Sequence, residues 1–568
     1  MKKAISVILS LALVFSLLSV SASAVNEEDE ILFAVASDLH YNIPEEELTW
    51  FSEDPIFGYA NRRAAMENES GFIIDEFLNQ CAEDEDIQFV LIPGDLADNG
   101  KSIAEEHYAV AEKFKRFEET SGKEIYVING NHDNGNDCAT EMADFKEIYA
   151  DFGYDKALTT VETDCSYTAN LGQKYRLIAL DSCDYSKSTE DGMTEEKVQW
   201  VIDQAELAKA EGRYPILMMH HNLLDHLPMQ RLLSHDFIIR NHLTTAGRWA
   251  DAGIKLVFTG HEHCSDATSY TSAAGNTITD FATTSLTMYP LQYRFFEVSE
   301  ETISYRAMTV DSIDTDALDA AVDGYSQEQL DAMNNGLNAF AKEYLKNGVE
   351  YRLELGFTDE KLGVSEGDIY YDIVRTVIDT LNDNLNIPLY GEGSVAELGE
   401  QYGITLPESN YKDGWDLATE LVAAHYAGSE DYPLKGTEVT LLLRTVSIIL
   451  KAELALVTDE DLVNAASAVL AGTGMLPRFE AIIDFVEENN YAVTPLEYLI
   501  LAIASPLLDS FANDDDVDDN NGELEGYGEG GGIVDSLTNA GDKFLDIIGF
   551  IFQLLEFLGM AYPGAFVN

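Results

Sequence analysis

Residues 127–137 read VINGNHDNGND, an apolar run that breaks into Asn131, His132 and Asp133 side by side. The run begins at Glu124 as EIYVINGN and has the length and β-branched content of a buried strand. Asparagine is a poor nucleophile and a weak metal ligand, so this strand end gains meaning only beside others like it. Four more follow the same plan. Asp38-x-His40 ends ILFAVAS (31–37), and Gly94-Asp95 ends the strand within IQFVLIPGD (87–95). His220-His221 ends YPILMMHH, and Gly260-His261-Glu262-His263 ends IKLVFTGH.

Between these strands lie helical patterns such as GFIIDEFLNQCAED and SIAEEHYAVAEKFKRFEE, the latter with Ser102 placed as a cap. YRLIALDS is a further strand, and NTITDFAT, YRFFEVS and TISYRAMTV turn the pattern to β before residue 310. Alternating strands and helices predict an α/β domain, and ligands of such sheets lie at the carboxyl ends of the strands. Five strand ends would deliver Asp38, His40, Asp95, Asn131, His220, His261 and His263 to one edge. Carboxylate, amide and imidazole donors suit divalent first-row metals. Seven donors exceed one ion with an open position, whereas two ions sharing a carboxylate fit the number.

In order, D-x-H, G-D-x-x-D, G-N-H-D, H-H and G-H-x-H resemble the calcineurin-like metallophosphoesterases over roughly residues 31–309. The chain is most similar to secreted, two-domain members from Gram-positive bacteria that act as 3′,5′-cyclic nucleotide phosphodiesterases. IYADFGYDKAL (148–158) and HHNLLDH (220–226) carry that finer likeness. The resemblance implies an αββα sandwich: two mixed β-sheets flanked by helices, followed by an all-α domain. It implies Mn, Fe or Zn ions, with Asp38, His40 and His263 on the first, Asn131, His220 and His261 on the second, and Asp95 bridging. His132 would act as the catalytic acid without ligating, with Asp98 orienting it. Asn131, His132 and His221 would meet substrate, or His221 would point away. Hydroxide generated at the metals would attack phosphorus in line with the leaving oxygen. A phosphomonoesterase or nucleotidase is the alternative within the same chemistry. A surface binding protein with a vestigial phosphoesterase fold is the alternative outside it.

The 568 residues exceed one ordinary domain. The reading divides them into a signal peptide (1–24), the phosphoesterase domain (25–309), an all-α domain (310–512), an acidic Gly-rich linker (513–532) and a C-terminal apolar helix (533–568). Lys2 and Lys3, the apolar run to Val20 and Ala22-Ser23-Ala24 make an export signal, which places the protein outside the cell. The C-terminal helix carries Asp546 and Glu556 inside its apolar run, so packing or weak surface association is expected rather than a transmembrane span. Asp514, Asp516, Asp518 and Glu525 have calcium-loop spacing, but Asp519 stands where that loop needs glycine.

A net charge of −68 repels nucleic acid at long range, so no polymer binding is expected. A small phosphoester is the expected partner, provided local positive charge overcomes the global field. Five scattered cysteines form no disulfide framework. Arg62-Arg63, after the long loop beyond His40, could meet substrate phosphate, but a solvated helix start is the preferred reading, and Asp133 is read as a turn former.

Overall fold

The computed structural model describes residues 30–186, 191–226, 230, 236–356, 371–430, 432, 436–453 and 518–528. The expected signal peptide and C-terminal helix, and Asp514 and Asp516 of the calcium-loop spacing, lie outside the described residues.

Two mixed sheets face each other. In the first, β1 (Ile31–Val35), β2 (Phe89–Ile92) and β3 (Glu124–Val127) run parallel. β11 (Gln292–Val298) pairs antiparallel to β1, and β12 (Thr302–Thr309) antiparallel to β11. The second sheet has the order β4 (Thr159–Thr160), β5 (Tyr167–Leu171), β6 (Tyr175–Leu180), β7 (Tyr214–Met219), β8 (Leu256–Thr259), β10 (Thr277–Ala282) and β9 (Asp266–Thr271). β6, β7, β8 and β10 are parallel. β7 and β8 are near-continuous apolar runs because both of their faces are covered. Phe33 and Phe296 of the first sheet meet Phe258 and Phe281 of the second, with ring centroids 4.8–6.1 Å apart across this group.

Helices α1 (Ser70–Glu83) and α2 (Ala104–Ser121) flank the first sheet, followed in sequence by the short α3 (Met142–Ile148). α4 (Glu195–Ala210) and α5 (His242–Ala252) cover the second, packing Val201, Ala205 and Trp249 over Ile178, Leu217 and Val257. α2 starts at Ala104 without a side-chain cap, so Ser102 does not play the expected part. The αββα sandwich is as the sequence predicts.

Helices follow from Thr315: α6 (Thr315–Ala321), α7 (Gln327–Asn335), α8 (Leu337–Gly356), α9 (Tyr371–Asn384), α10 (Val395–Tyr402), α11 (Gly414–Tyr426) and α12 (Thr437–Glu453). They have a core of their own that includes Leu389, Leu417, Leu441 and Ile448. They also dock on the sandwich, where Leu345, Val349 and Ala423 pack against Ala64, Ala65 and Met288.

The acidic stretch after residue 513 departs from its reading as a linker. Asn521–Glu525 forms β13, antiparallel to β12 from Thr302↔Glu525 to Arg306↔Asn521. The open edge of β12 supplies a ladder that recruits this polar segment, and Leu524 packs against the main core. Among the described residues no helix is long and apolar enough to cross a membrane, and all five cysteines are free.

Candidate metal centre

β1, β2 and β3 of one sheet and β7 and β8 of the other end at the same edge. Their following residues turn sharply inward. Asp38, His40, Asp95, His261 and His263 all adopt positive φ, between 40° and 70°. Such conformations cost on the order of 1–3 kcal/mol each for non-glycine residues and persist where the surroundings over-determine them. Five of the seven expected ligands carry this strain. The motif glycines make room for the carboxylates: a Cβ on Gly130 would stand 2.1 Å from Asp95 Oδ1, and one on Gly260 2.1 Å from Asp38 Oδ2.

The seven donors converge. Asp38, His40 and His263 form one group, and Asp95, His220 and His261 another, the ligand atoms within each lying inside 4.8 Å. Asp95 also groups with His40 and His132. Asn131 Oδ1 lies 2.9 Å from His220 Nε2, and Asp95 Oδ2 3.3 Å from the same nitrogen. Across the site, His40 Nε2 and His263 Nε2 are 3.0 Å apart, and His263 Nε2 is 3.2 Å from Asp38 Oδ1. Asp95 therefore belongs to both halves.

Hydrogen bonds on the outer side fix which ring nitrogens face inward. His220 Nδ1 lies 3.0 Å from the Pro93 carbonyl oxygen and donates to it, which turns the Nε2 lone pair toward Asn131 and Asp95. His40 Nδ1 lies 3.1 Å from Asp98 Oδ1, leaving its Nε2 lone pair to the centre. Lone pairs of nitrogen and oxygen thus point at one another, and the buried Asp95 Oδ2 has no hydrogen-bond donor. Such an arrangement needs positive charge at its middle, and the donor set fits divalent cations.

Electrostatics agree. Burial pushes the Asp95 carboxyl upward, but His220, His132 and His40 outweigh it and hold it well below the carboxylate range. Burial opposes protonation of His220, yet Asp95 and Asp38 raise it to about 9. A proton there takes the place a cation would fill. Burial, with the Arg63 and His132 charges, lowers His40 to about 4 despite its bond to Asp98, and burial with His221 and His220 lowers His261 well below its usual value. Both are then neutral imidazoles, the form that binds metal.

Two sequence expectations change. The Asp98 carboxylate does not orient His132: it pairs with His40 Nδ1 and Arg63. His132 Nδ1 bonds instead to the Asp98 main-chain oxygen at 2.7 Å, because the turn after β2 brings that carbonyl, rather than the side chain, over the ring. His221 is buried, with Nδ1 2.8 Å from Ser182 Oγ and its ring 4.6 Å from that of His261. Arg63, read as a solvated helix start, reaches the site.

Asp133 accepts from the main-chain N–H groups of Leu96, Ala97 and Gly130 at 3.0, 3.1 and 2.7 Å. It ties the β2 and β3 ends together and is a structural aspartate. His132 N donates to Asp95 Oδ1 at 2.8 Å, which aims the other oxygen inward.

Residues 31–265 match the family described as calcineurin-like phosphoesterase. Among curated proteins none matches the chain. Solved structures similar to it include a dimetal phosphatase from Danio rerio, at 11% identity and TM-score 0.37, covering 49% of this chain and 96% of that one. Another is a phosphopantetheinyl hydrolase from Mycobacterium tuberculosis, at 11% identity and TM-score 0.24, covering 45% and 91%.

Proposed function

We propose that residues 31–265, which match the calcineurin-like phosphoesterase family, make the protein an exported phosphodiesterase for small phosphodiesters such as 3′,5′-cyclic nucleotides. The observation that carries the dimetal reading is Asp95, shared by donor groups from both sheets with one oxygen lacking any donor. Asp38, His40 and His263 would hold one cation and Asn131, His220 and His261 the other, with Asp95 between. Bound there, divalent ions would polarise a phosphoryl oxygen and lower the pKa of water.

The chain's own residues do the rest. His132, held at Nδ1 by the Asp98 carbonyl, presents Nε2 to the site and delivers a proton from that atom to the leaving alkoxide. Asn131 contributes a neutral oxygen, which leaves more positive charge for an anionic substrate. Export rests on the leader pattern at the N-terminus, and the diester preference on the likeness to cyclic nucleotide phosphodiesterases.

The test is turnover of bis-p-nitrophenyl phosphate, p-nitrophenyl phosphate and 3′,5′-cyclic AMP by the full chain reconstituted with Mn²⁺, Fe²⁺ or Zn²⁺. Diester turnover is expected. Marked preference for the monoester would replace the reading with a phosphomonoesterase, and turnover of none would favour a binding protein.

A further inference from the structure

Arg63 sits on the long connection between β1 and α1, and its guanidinium spans Asp98 Oδ1 and the neighbourhood of His40 Nδ1, with Nη2 3.3 Å from the latter. These contacts use part of its donor set. About a third of the side chain, 34%, remains exposed at the site, whereas Asp98 and His40 are buried. The protein's charge of −68 opposes the approach of any anion, so a fixed cation beside the reacting group changes both encounter and binding.

The turn that carries Arg63 is built to hold it still. Asn61 Oδ1 accepts from Arg63 N at 3.0 Å, and Asn61 Nδ2 donates to Ala65 O at 2.8 Å. Ala64 is buried with φ 60°, a conformation that needs support from outside the turn. That support comes from α8. Tyr344 Oη lies 3.4 Å from Asn61 N and 3.3 Å from Asn61 Nδ2. Gly348 lies so close that a Cβ there would stand 2.5 Å from Asn61 O and 2.9 Å from Ala64 Cα. Leu345, Val349 and Ala423 complete the seat under Ala64 and Ala65.

We propose that Arg63 binds the substrate's phosphoryl oxygens and that the helical unit positions it through the Asn61–Ala65 turn. Arginine presents five donors in a planar fork, so it can hold Asp98 with one edge and an oxyanion with another. The helical unit is then part of the active site through the turn it holds. This inference rests on the phosphoesterase reading.

The experiment measures inorganic phosphate binding to the metal-loaded full chain by calorimetry, with metal content and melting temperature recorded for each variant. Arg63→Ala should weaken phosphate binding about 10- to 100-fold, the range for loss of charge-assisted hydrogen bonds, while both ions stay bound. Arg63→Lys should recover only part of it, because an ammonium lacks the fork. Gly348→Ala, which pushes on the turn, or Tyr344→Phe, which frees it, should weaken phosphate binding at unchanged metal content. Equal phosphate binding in wild type and Arg63→Ala overturns the proposal, as does loss of metal in Arg63→Ala with phosphate affinity otherwise preserved. Wild-type binding in both α8 variants overturns the helical unit's part. Phosphate binding needs no turnover, so a wild type that binds phosphate through Arg63 yet hydrolyses no ester would sink the enzymatic reading alone.

Discussion

His132 Nδ1 lies 2.7 Å from the main-chain oxygen of Asp98. A carbonyl oxygen only accepts, so Nδ1 carries a proton in every protonation state of the ring, and only the imidazolium carries one at Nε2. The ring of His40 stands edge-on to it, with centroids 4.9 Å apart at 87°. His132 is thereby aimed at the centre while its tautomer is set by backbone alone.

His132→Ala should keep both metal ions and lose activity by roughly 10²- to 10⁴-fold in kcat, the worth of one positioned acid. The loss should shrink with p-nitrophenolate as leaving group, which departs without a proton, and remain large for a ribose 3′-alkoxide. Equal losses on both leaving groups, or release of metal, would remove His132 from the acid's role.

Asp95→Ala should release metal as well as abolish turnover. Asp95 groups with His220 and His261 on one side and with His40 and His132 on the other, so its loss opens both sides and leaves two cations with less negative charge between them. Elemental analysis finding two ions still bound would sink the bridging assignment.

Asp98→Asn separates the two things Asp98 does. The main-chain oxygen under His132 remains, while the carboxylate facing His40 Nδ1 loses its charge. Metal affinity should fall about 10- to 100-fold, as for other partners behind a ligating histidine. The leaving-group dependence of kcat at saturating metal should be unchanged. A variant with wild-type metal affinity and the leaving-group signature of His132→Ala would restore the side-chain orienting role.

His226 Nδ1 lies 2.7 Å from Asp266 Oδ1, and its Nε2 lies 3.0 Å from Asp280 Oδ2. Burial opposes its charge, but Asp280 and Asp266 outweigh burial and raise it well above the ordinary histidine value. The folded value exceeds the unfolded one of about 6.5, so this stabilisation is complete below that pH and is lost as pH climbs through the raised value. Over that window folding takes up one proton, about 1.4 kcal/mol per pH unit. The stability gap between wild type and His226→Gln should therefore narrow by denaturant titration as pH rises above about 6.5, at up to this linkage slope. A constant or widening gap would contradict the buried imidazolium.

The strand ends were legible because two signals coincide there: an apolar run long enough for a buried strand, and a metal-binding side chain just past it. Arg63 ranked below a solvated reading because a long loop has no periodicity, and its placement depends on α8, far along the chain. Asp98 was found but given the wrong partner, since sequence does not distinguish a residue's carbonyl from its carboxylate. Asn521–Glu525 escaped for a different reason. NGELE has little strand preference of its own, and what makes it a strand is the waiting edge of β12.

That late strand gives the domain an order of assembly. β12 ends at Thr309, and its outer partner begins at Asn521, beyond the whole helical unit. A nascent chain emerging from synthesis thus has its first sheet nearly complete but with a raw flank, open to pairing with a neighbouring copy until residue 525 arrives. When it does arrive, Glu523 and Glu525 come with it, both exposed, and the new flank is charged and hostile to further strands. The last-made piece of the sandwich is also its insulation, and a chain truncated before it would keep the metal ligands yet be left adhesive.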